Sequence, residues 1–209
     1  MTKRLGETSY RETSFGIIPR SKLIPLEIEG IKKAWDSVVR ERKKGEIAIT
    51  SNFIKKLHEI GFAWIFSKTG GKFRKIEVTI SDHEPPKFYL LPQLMIDYCE
   101  NIKERLKHLP ANVYSPDFID KLIELLTWTH HRFLWIHPFE DYNGRIARLL
   151  INVILLNLDL PPLEMKVETK EGRKKYIKAL QRADEGNYSD LEKIIKTAIN
   201  ESLKDIERT

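Results

Sequence analysis

Residues 137–148 have the sequence HPFEDYNGRIAR, which contains a histidine, two acids, an Asn-Gly pair and two arginines. This polar stretch lies between residues 118–136 and the apolar stretch that starts at Ile146, in the most hydrophobic region of the chain. In residues 118–136 apolar side chains recur at the spacing of one helix face, at Phe118, Leu122, Leu125, Leu126, Phe133 and Ile136. We therefore predict two buried helices joined by a polar turn, and the turn is the candidate functional site.

The 209-residue chain has 41% hydrophobic and 32% charged residues, which is typical of one globular domain with a substantial core. Cys99 is the only cysteine, so an intrachain disulfide and a cysteine-based zinc site are excluded. The first 16 residues lack the apolar segment of a secretory signal. Arg148, Asn152 and Pro161 make the longest apolar stretch too short and too polar to span a membrane. We expect a cytoplasmic protein without a membrane partner.

The formal net charge of +6 would by itself suit nucleic acid or another anionic ligand. However, the lysines and glutamates are dispersed along predicted helix faces. The densest basic run, RERKK at residues 40–44, lies where a helix is predicted to end and cations are favoured. The chain has no zinc-finger spacing and no RNA-recognition motif. Nucleic acid is therefore not the partner that the sequence favours.

Helical periodicity and capping residues predict a mainly α-helical domain over residues 27–209, preceded by an extended N-terminal arm over residues 1–26. Seven helix starts are predicted, near Glu27, Thr50 or Ser51, Pro92, Ser115–Pro116, Asn143, Thr169 and Ser189.

One segment has the pattern of β structure. Apolar side chains are interleaved with polar ones in KFRKIEVTI, residues 72–80, and KFYLL follows at residues 87–91 after HEPP. This pattern predicts a small β-hairpin between Gly71 and Leu91.

The predicted helix that begins at Asn143 would point its free backbone amides and the positive end of its dipole into the turn. Gly144 would let a ligand approach the backbone closely, and Arg145 and Arg148 add cations that suit phosphate groups. Asp141 would repel phosphates unless a cation bridged the two, and Mg²⁺ prefers such a site. The turn therefore has the chemistry of a magnesium–phosphate site.

His137 lies at the other end of the turn, where an imidazole can accept the proton of a hydroxyl nucleophile. Together these residues predict metal-assisted transfer of a phosphorus-centred group from a nucleotide to an alcohol. A zinc hydrolase is a weaker alternative. His130 and His131 lie in a predicted core helix that Pro138 ends, and the chain has no HExxH motif.

The twelve residues resemble the signature of the Fic (Fic/Doc) family, HPFx(D/E)GNGRxxR, with Tyr142 where glycine is usual. GKFR at residues 71–74 and YIKALQRADEGNYSDL at residues 176–191 also resemble the family, so the resemblance covers about residues 27–200. It implies a Fic-type helical bundle with a small β-hairpin flap.

Most characterised members of the family transfer AMP from ATP to a Ser, Thr or Tyr hydroxyl of a target protein. The resemblance therefore implies a protein adenylyltransferase that uses Mg²⁺ and takes ATP as its substrate. His137 would be the base, Asp141 would hold Mg²⁺ and Phe139 would anchor the turn in the core. The phosphates would be bound by Asn143, Gly144, Arg145 and Arg148, and the flap would dock the target through Lys72, Phe73, Arg74 and Ile76.

Several alternatives stay open. Tyr176 could stack on adenine, although a helix-face aromatic is more often a core residue. Tyr142 could crowd the phosphates, change the donor or point away, so transfer of phosphate, phosphocholine or another nucleotide is an alternative. A nucleotide-binding module without catalysis is another, and the intact His137 and Asp141 argue against it.

The chain could also be the toxin of a toxin–antitoxin pair, with an antitoxin protein as partner. Many Fic proteins restrain themselves with a glutamate that pairs with the second arginine of the signature, here Arg148. Incomplete matches to the associated (S/T)xxxE(G/N) motif make Glu12 and Glu201 the candidates. The sequence does not give the target protein or the oligomeric state.

Overall fold

The computed structural model describes residues 10–80, 83–167 and 169–206. In this part of the chain a β-hairpin precedes seven α-helices, so the predicted fold class is confirmed. The elements are β1 (Tyr10–Thr13), β2 (Gly16–Pro19), α1 (Arg20–Arg42), α2 (Ser51–Phe62), α3 (Leu91–Lys107), α4 (Phe118–Ile136), α5 (Asn143–Asn157), α6 (Lys170–Asp184) and α7 (Ser189–Ile206). None of these helices combines the length and the apolar character that crossing a membrane requires.

Helices α4 and α5 form the centre of the core. Helix α4 packs against α3, α5, α6 and α7, and α5 also contacts α1 and α2. Both helices bury apolar side chains around most of their circumference, as expected for helices in the middle of a bundle. The polar turn at residues 137–142 joins these two helices, so it is carried by the most buried part of the fold.

Helix α1 crosses α2 at a point where two glycines meet. A Cβ atom at Gly30 would lie 2.1 Å from the carbonyl oxygen of Gly61, so a larger residue would push the helices apart. The buried stripe of α1 follows helical spacing and consists of Leu23, Glu27, Gly30, Ala34 and Val38. Because the two helices cross closely, the buried face of α1, which includes the acid Glu27, packs against the core.

Helix α1 begins at Arg20, earlier than the predicted start near Glu27, and residues 10–19 form the β1–β2 hairpin instead of an extended chain. Pro19 is the residue before the helix, and Pro25 removes only one backbone donor near the helix start, so neither proline prevents the helix. The division of the chain after residue 26 stays a prediction.

Five predicted helix starts are confirmed, and α5 and α7 begin at the predicted residues Asn143 and Ser189. The side chain of Thr50 accepts a hydrogen bond from the backbone of Phe53, and that of Thr169 accepts one from Gly172. Pro92 lies in the first turn of α3. These residues satisfy or remove backbone donors that have no partner within the helix.

The segment at residues 71–87, called the flap below, differs from the predicted hairpin. Its two arms pair at one bridge only, between Ile80 and His83, on either side of residues 81 and 82, which lie outside the described part. The returning arm contains Pro85 and Pro86, which have no N–H to donate to a ladder. A side chain ties the arms together instead: Arg74 donates to the carbonyls of Ile76 and Pro86.

Candidate active site

The turn between α4 and α5 places two non-glycine residues in the left-handed region of the backbone, His137 with φ 50° and Tyr142 with φ 63°. Such a conformation costs an L-residue about 1–2 kcal/mol, and glycine avoids that cost. This cost explains why glycine is usual in the family at the position of Tyr142. In this chain the contacts of the tyrosine side chain must offset the cost.

Phe139 and Asn143 stabilise the turn on the side that faces the core. The ring of Phe139 is fully buried, between Phe73 and Phe133. The side-chain amide of Asn143 donates to the carbonyl of Phe139 over 2.8 Å, and its oxygen accepts from the amide of Phe139 over 3.0 Å. The anchoring role of Phe139 stays a prediction, and the structure places its ring in the core. The Asn143 carboxamide closes the turn, so only its backbone is available to face a phosphate.

His58 of α2 is a contributor that sequence reasoning missed. Its ring stacks on Phe139 with centroids 3.9 Å apart. Its Nδ1 accepts a hydrogen bond from the amide of Gly71, so Nε2–H donates to the carbonyl of Asp141, 3.2 Å away. Burial lowers the pKa of His58 to about 4, which keeps the ring neutral. A histidine on an apolar helix face was the available indication of this structural role.

His137 ends α4, and its backbone amide donates to Phe133. Its Nδ1 lies 3.3 Å from the carbonyl of Leu134, which can only accept, so Nδ1 carries the proton and Nε2 is the basic nitrogen. Burial lowers the pKa of His137 to about 4, and the nearby Arg74 and His83 act in the same direction. At neutral pH the ring is therefore a neutral imidazole that can accept a proton at Nε2.

Arg74 joins the flap to the turn. Its side chain has no exposed surface, and its Nε donates to the carbonyl of His137 over 2.8 Å. Its backbone amide also donates to the carbonyl of Pro138 over 2.9 Å. Burial lowers the pKa of the guanidinium. The sequence predicted Arg74 as a target-docking residue, whereas the structure places it as a buried clamp.

One groove of about 1130 Å³ brings together six of the predicted residues: His137, Asp141, Gly144, Arg145, Arg148 and Tyr176. The start of α5 opens onto this groove. A Cβ atom at Gly144 would have only Arg148 Nη1 within 4 Å, at 3.7 Å, so the backbone there is open to a ligand. Arg11 and Arg20 also line the groove, which makes its wall strongly cationic.

Asp141 projects into the groove beside the start of α5. Its carboxylate pairs with Arg11 of β1, and both side chains are about half exposed. Among the described residues no group of three or more His, Cys, Asp or Glu side chains could hold a metal by itself. Asp141 could therefore supply one carboxylate ligand, and the remaining ligands of a cation would have to come from a bound molecule and water.

Tyr142 turns its side chain toward α1 and α2. Its ring stacks on Phe62 with centroids 4.0 Å apart and planes 10° apart. Its hydroxyl donates to Oε1 of Glu27 over 2.8 Å, and Oε2 of the same carboxylate accepts from Arg145 over 2.6 Å. Burial and the Glu27 carboxylate raise the pKa of the Tyr142 hydroxyl. Glu27 is a buried residue of the site that no sequence motif indicated.

Tyr176 supports Arg148 from α6. The phenol is 8% exposed and lies 2.7 Å from Nε2 of His130. It accepts a hydrogen bond from Arg148, which leaves its O–H to donate to His130. Burial lowers the pKa of His130 to about 3 and raises the pKa of Tyr176 to about 12. Stacking of Tyr176 on adenine stays a prediction, and the contact that the structure shows is with Arg148.

The remaining predicted residues lie outside the groove. Lys72 and Ile76 are exposed on the flap, and Phe73 packs against Phe139. The two candidate inhibitory acids pair with lysines: Glu12 with Lys68 at 3.3 Å and Glu201 with Lys166 at 3.1 Å. Their predicted roles are not tested by these contacts.

The sequence matches the Fic/DOC family over residues 48–155, which is more than half of the chain. A protein adenylyltransferase Fic from Nematostella vectensis is 24% identical over 94% of this chain and 41% of its own length. One from Aedes aegypti is 29% identical over 97% of this chain and 38% of its own length. The chain thus spans about two fifths of these relatives.

A solved structure with a similar fold is the Fic domain containing signaling protein from Bacteroides thetaiotaomicron. Its TM-score is 0.68 at 21% identity, over 85% of this chain and 69% of that one. Sequence, turn geometry and fold agree, and the chain belongs to the Fic/DOC family.

Proposed function

We propose that the chain is a Mg²⁺-dependent protein adenylyltransferase that transfers AMP from ATP to a Ser, Thr or Tyr hydroxyl of a target protein. The observation that carries the proposal is the groove at the start of α5, where His137, Asp141, Gly144, Arg145 and Arg148 meet. The adenylyltransferase names of the relatives from N. vectensis and A. aegypti support the same chemistry.

The triphosphate of ATP would lie across the start of α5. The backbone amides of the first turn have no partner within the helix, and Gly144 leaves room for a phosphate to approach them. Arg145 and Arg148 line the same wall and add two fixed cations. Positioning and electrostatic stabilisation of this kind supply most of the rate in phosphoryl-type transfers.

Mg²⁺ would be held by the Asp141 carboxylate together with phosphate oxygens. A hard cation that keeps several waters and takes one carboxylate plus substrate phosphates fits a groove with a single projecting acid. When bound, the cation neutralises charge on the phosphates. Asp141 would first have to exchange its partner Arg11, whose side chain is about half exposed.

His137 would act as the general base. As the target hydroxyl oxygen forms its bond to the α-phosphorus, Nε2 of His137 would take the hydroxyl proton. The bond from the α-phosphorus to the bridging oxygen would break, and pyrophosphate would leave. Phosphate charge near the ring raises the proton affinity that burial has lowered.

The flap would present the target. Lys72 and Ile76 are exposed there, and among the described residues of the flap only Ile80 and His83 form a backbone bridge, so an extended target segment could add to it as a strand. A toxin role, an antitoxin partner and a cytoplasmic location stay predictions.

The test is mass spectrometry of the chain and of extract proteins after incubation with ATP and Mg²⁺. We expect an adduct of one AMP, and we expect His137→Ala to lower its rate by about 10²–10⁴-fold. Nucleotide affinity should change less than about threefold, because His137 is not placed as a phosphate ligand. His108→Ala is the matched control, since His108 is 75% exposed at the end of α3.

Each other outcome has a meaning. A phosphate adduct would favour another transferase of the same fold. ATP binding without any adduct would favour a silent nucleotide-binding module. Equal labelling by the wild type and His137→Ala would remove His137 from its proposed role.

A further inference from the structure

Glu27 is an acid in an unusual position. Among the residues that the structure describes it is the one carboxylate with no exposed surface, and it lies on the buried stripe of α1. A carboxylate is buried only when cations and hydrogen-bond donors surround it, because it loses its hydration otherwise. The partners of Glu27 therefore define what it does.

Three donors meet at this carboxylate. Oε2 accepts from Nη2 of Arg145 over 2.6 Å, and Oε1 accepts from the hydroxyl of Tyr142 over 2.8 Å and from Arg20. Arg20, Tyr142 and Arg145 line the groove, whereas Glu27 does not. The acid thus stands behind the groove wall and ties together the three side chains that form it.

The Tyr142 ring makes this arrangement rigid. It stacks on Phe62 and contacts Phe66 with centroids 5.6 Å apart, and the guanidinium of Arg145 lies 5.5 Å from the centre of the same ring. A glycine at this position could provide neither the hydroxyl nor the ring. Arg145 is therefore held at two points, by the carboxylate and beside the tyrosine.

We infer that Glu27 and Tyr142 are positioning residues that fix the Arg145 guanidinium for the donor phosphates, an inference that rests on the proposed function. Without the carboxylate, Arg20 and Arg145 would be two cations at one place with no charge between them, and their repulsion would turn Arg145 out of position. Removing a negative charge also strengthens the general attraction for phosphates, which offsets the loss in binding. The orientation lost in the transition state should therefore appear mainly in kcat.

The experiment compares Glu27→Gln and Tyr142→Phe with the wild type. ATP affinity is measured by equilibrium binding in the presence of Mg²⁺, and kcat and KM for protein labelling are measured per ATP-binding site. We expect Glu27→Gln to lower kcat about tenfold or more and to change the ATP Kd by less than about threefold. Tyr142→Phe keeps the ring and its stack, and should lower kcat about threefold.

Two control variants match these changes. Tyr98→Phe removes a buried phenol hydroxyl that donates to the carbonyl of Thr129 over 3.0 Å, away from the groove. Glu104→Gln removes an acid that pairs with Lys107 on the surface of α3. Both should keep wild-type kcat and Kd per site.

Three results would overturn the inference. A raised kcat in Glu27→Gln would show that Glu27 restrains Arg145 instead of orienting it. A lower melting temperature with unchanged kcat per ATP-binding site in both variants would show a structural role alone. If the wild type neither binds ATP nor labels protein, the proposed function fails, and the inference fails with it.

Discussion

The turn at residues 137–142 and the flap at residues 71–87 meet at Arg74 but are held in different ways. The turn is fixed from several sides by buried partners, among them Phe139, Asn143 and His58. In the described part of the flap one bridge joins the two arms, and Ile76 is 53% exposed. The difference teaches that the turn, which we propose binds the nucleotide, is preorganised, whereas the flap, which we propose binds the target, can adapt its shape.

The largest effect should be the pH dependence of the free energy of unfolding, which the buried histidines in and around the turn produce. Burial lowers the pKa of His58 and His137 to about 4 and of His130 to about 3, against an ordinary value of 6.5. Below pH 6.5 the unfolded chain binds protons that the folded chain does not, so stability is complete above pH 6.5 and is lost toward pH 4. We expect the free energy of unfolding to fall between pH 7 and pH 5 by about 1–2 kcal/mol per histidine.

Urea unfolding at the two pH values measures this effect. His58→Asn should make the pH dependence shallower, because one of the three histidines is then removed. An equal or higher free energy of unfolding at pH 5 would contradict the account of a turn held by neutral, buried rings.

The next effect concerns Arg74, which connects the flap to the turn. Arg74→Met removes the guanidinium that donates to the carbonyls of His137, Ile76 and Pro86 and leaves them without that donor. We expect the free energy of unfolding to fall by about 3 kcal/mol. Urea unfolding checks this, with the exposed neighbour in Lys75→Met as control. A loss below about 0.5 kcal/mol, the level of an ordinary surface change, would show that the Arg74 guanidinium does not couple the flap to the turn.

A smaller effect is expected on the flap itself. Ile76→Ala should leave stability and ATP affinity unchanged, because the side chain is 53% exposed, and should lower target labelling about tenfold through lost target contact. Labelling of the target at several target concentrations separates KM from kcat. Val113→Ala, 42% exposed outside the flap, is the control. Unchanged labelling in Ile76→Ala would remove the flap from target docking.

The smallest effect concerns the hairpin that reaches the turn. The pair of Arg11 and Asp141 is about half exposed, and such pairs contribute about 0.2–1 kcal/mol. Arg11→Ala should therefore raise the affinity for Mg²⁺–ATP about two- to fivefold, since Asp141 no longer has to leave a partner. Equilibrium binding measures this, with Lys68→Ala, which frees Glu12 of the same hairpin, as control. A lower affinity would mean that Arg11 contacts the phosphates.

The parts that sequence could predict are those set by local patterns. Helical spacing located α4 and α5, Thr50 and Thr169 marked helix starts, and the twelve-residue signature located the turn. The contacts that sequence could not predict join residues far apart in the chain. Glu27 reaches Arg145 only because α1 starts at Arg20 and crosses α2 closely. No local pattern encodes such a crossing.

In the flap a local sequence pattern predicted structure that did not form. Alternating apolar residues predicted strands, but alternation only indicates a surface that can pair, and pairing also needs donors on both arms. Pro85 and Pro86 remove donors from one arm, and Arg74 uses carbonyls that a ladder would need. A charged residue is usually exposed, but Arg74 is buried because those carbonyls accept hydrogen bonds from its guanidinium.

The most direct test of the central claim is a crystal structure of the chain with Mg²⁺ and a non-hydrolysable ATP analogue. The account predicts the triphosphate across the backbone of Gly144, in contact with Arg145 and Arg148, the cation on Asp141, and His137 Nε2 facing the α-phosphate. A groove without nucleotide at the start of α5, with the analogue bound elsewhere, would contradict it.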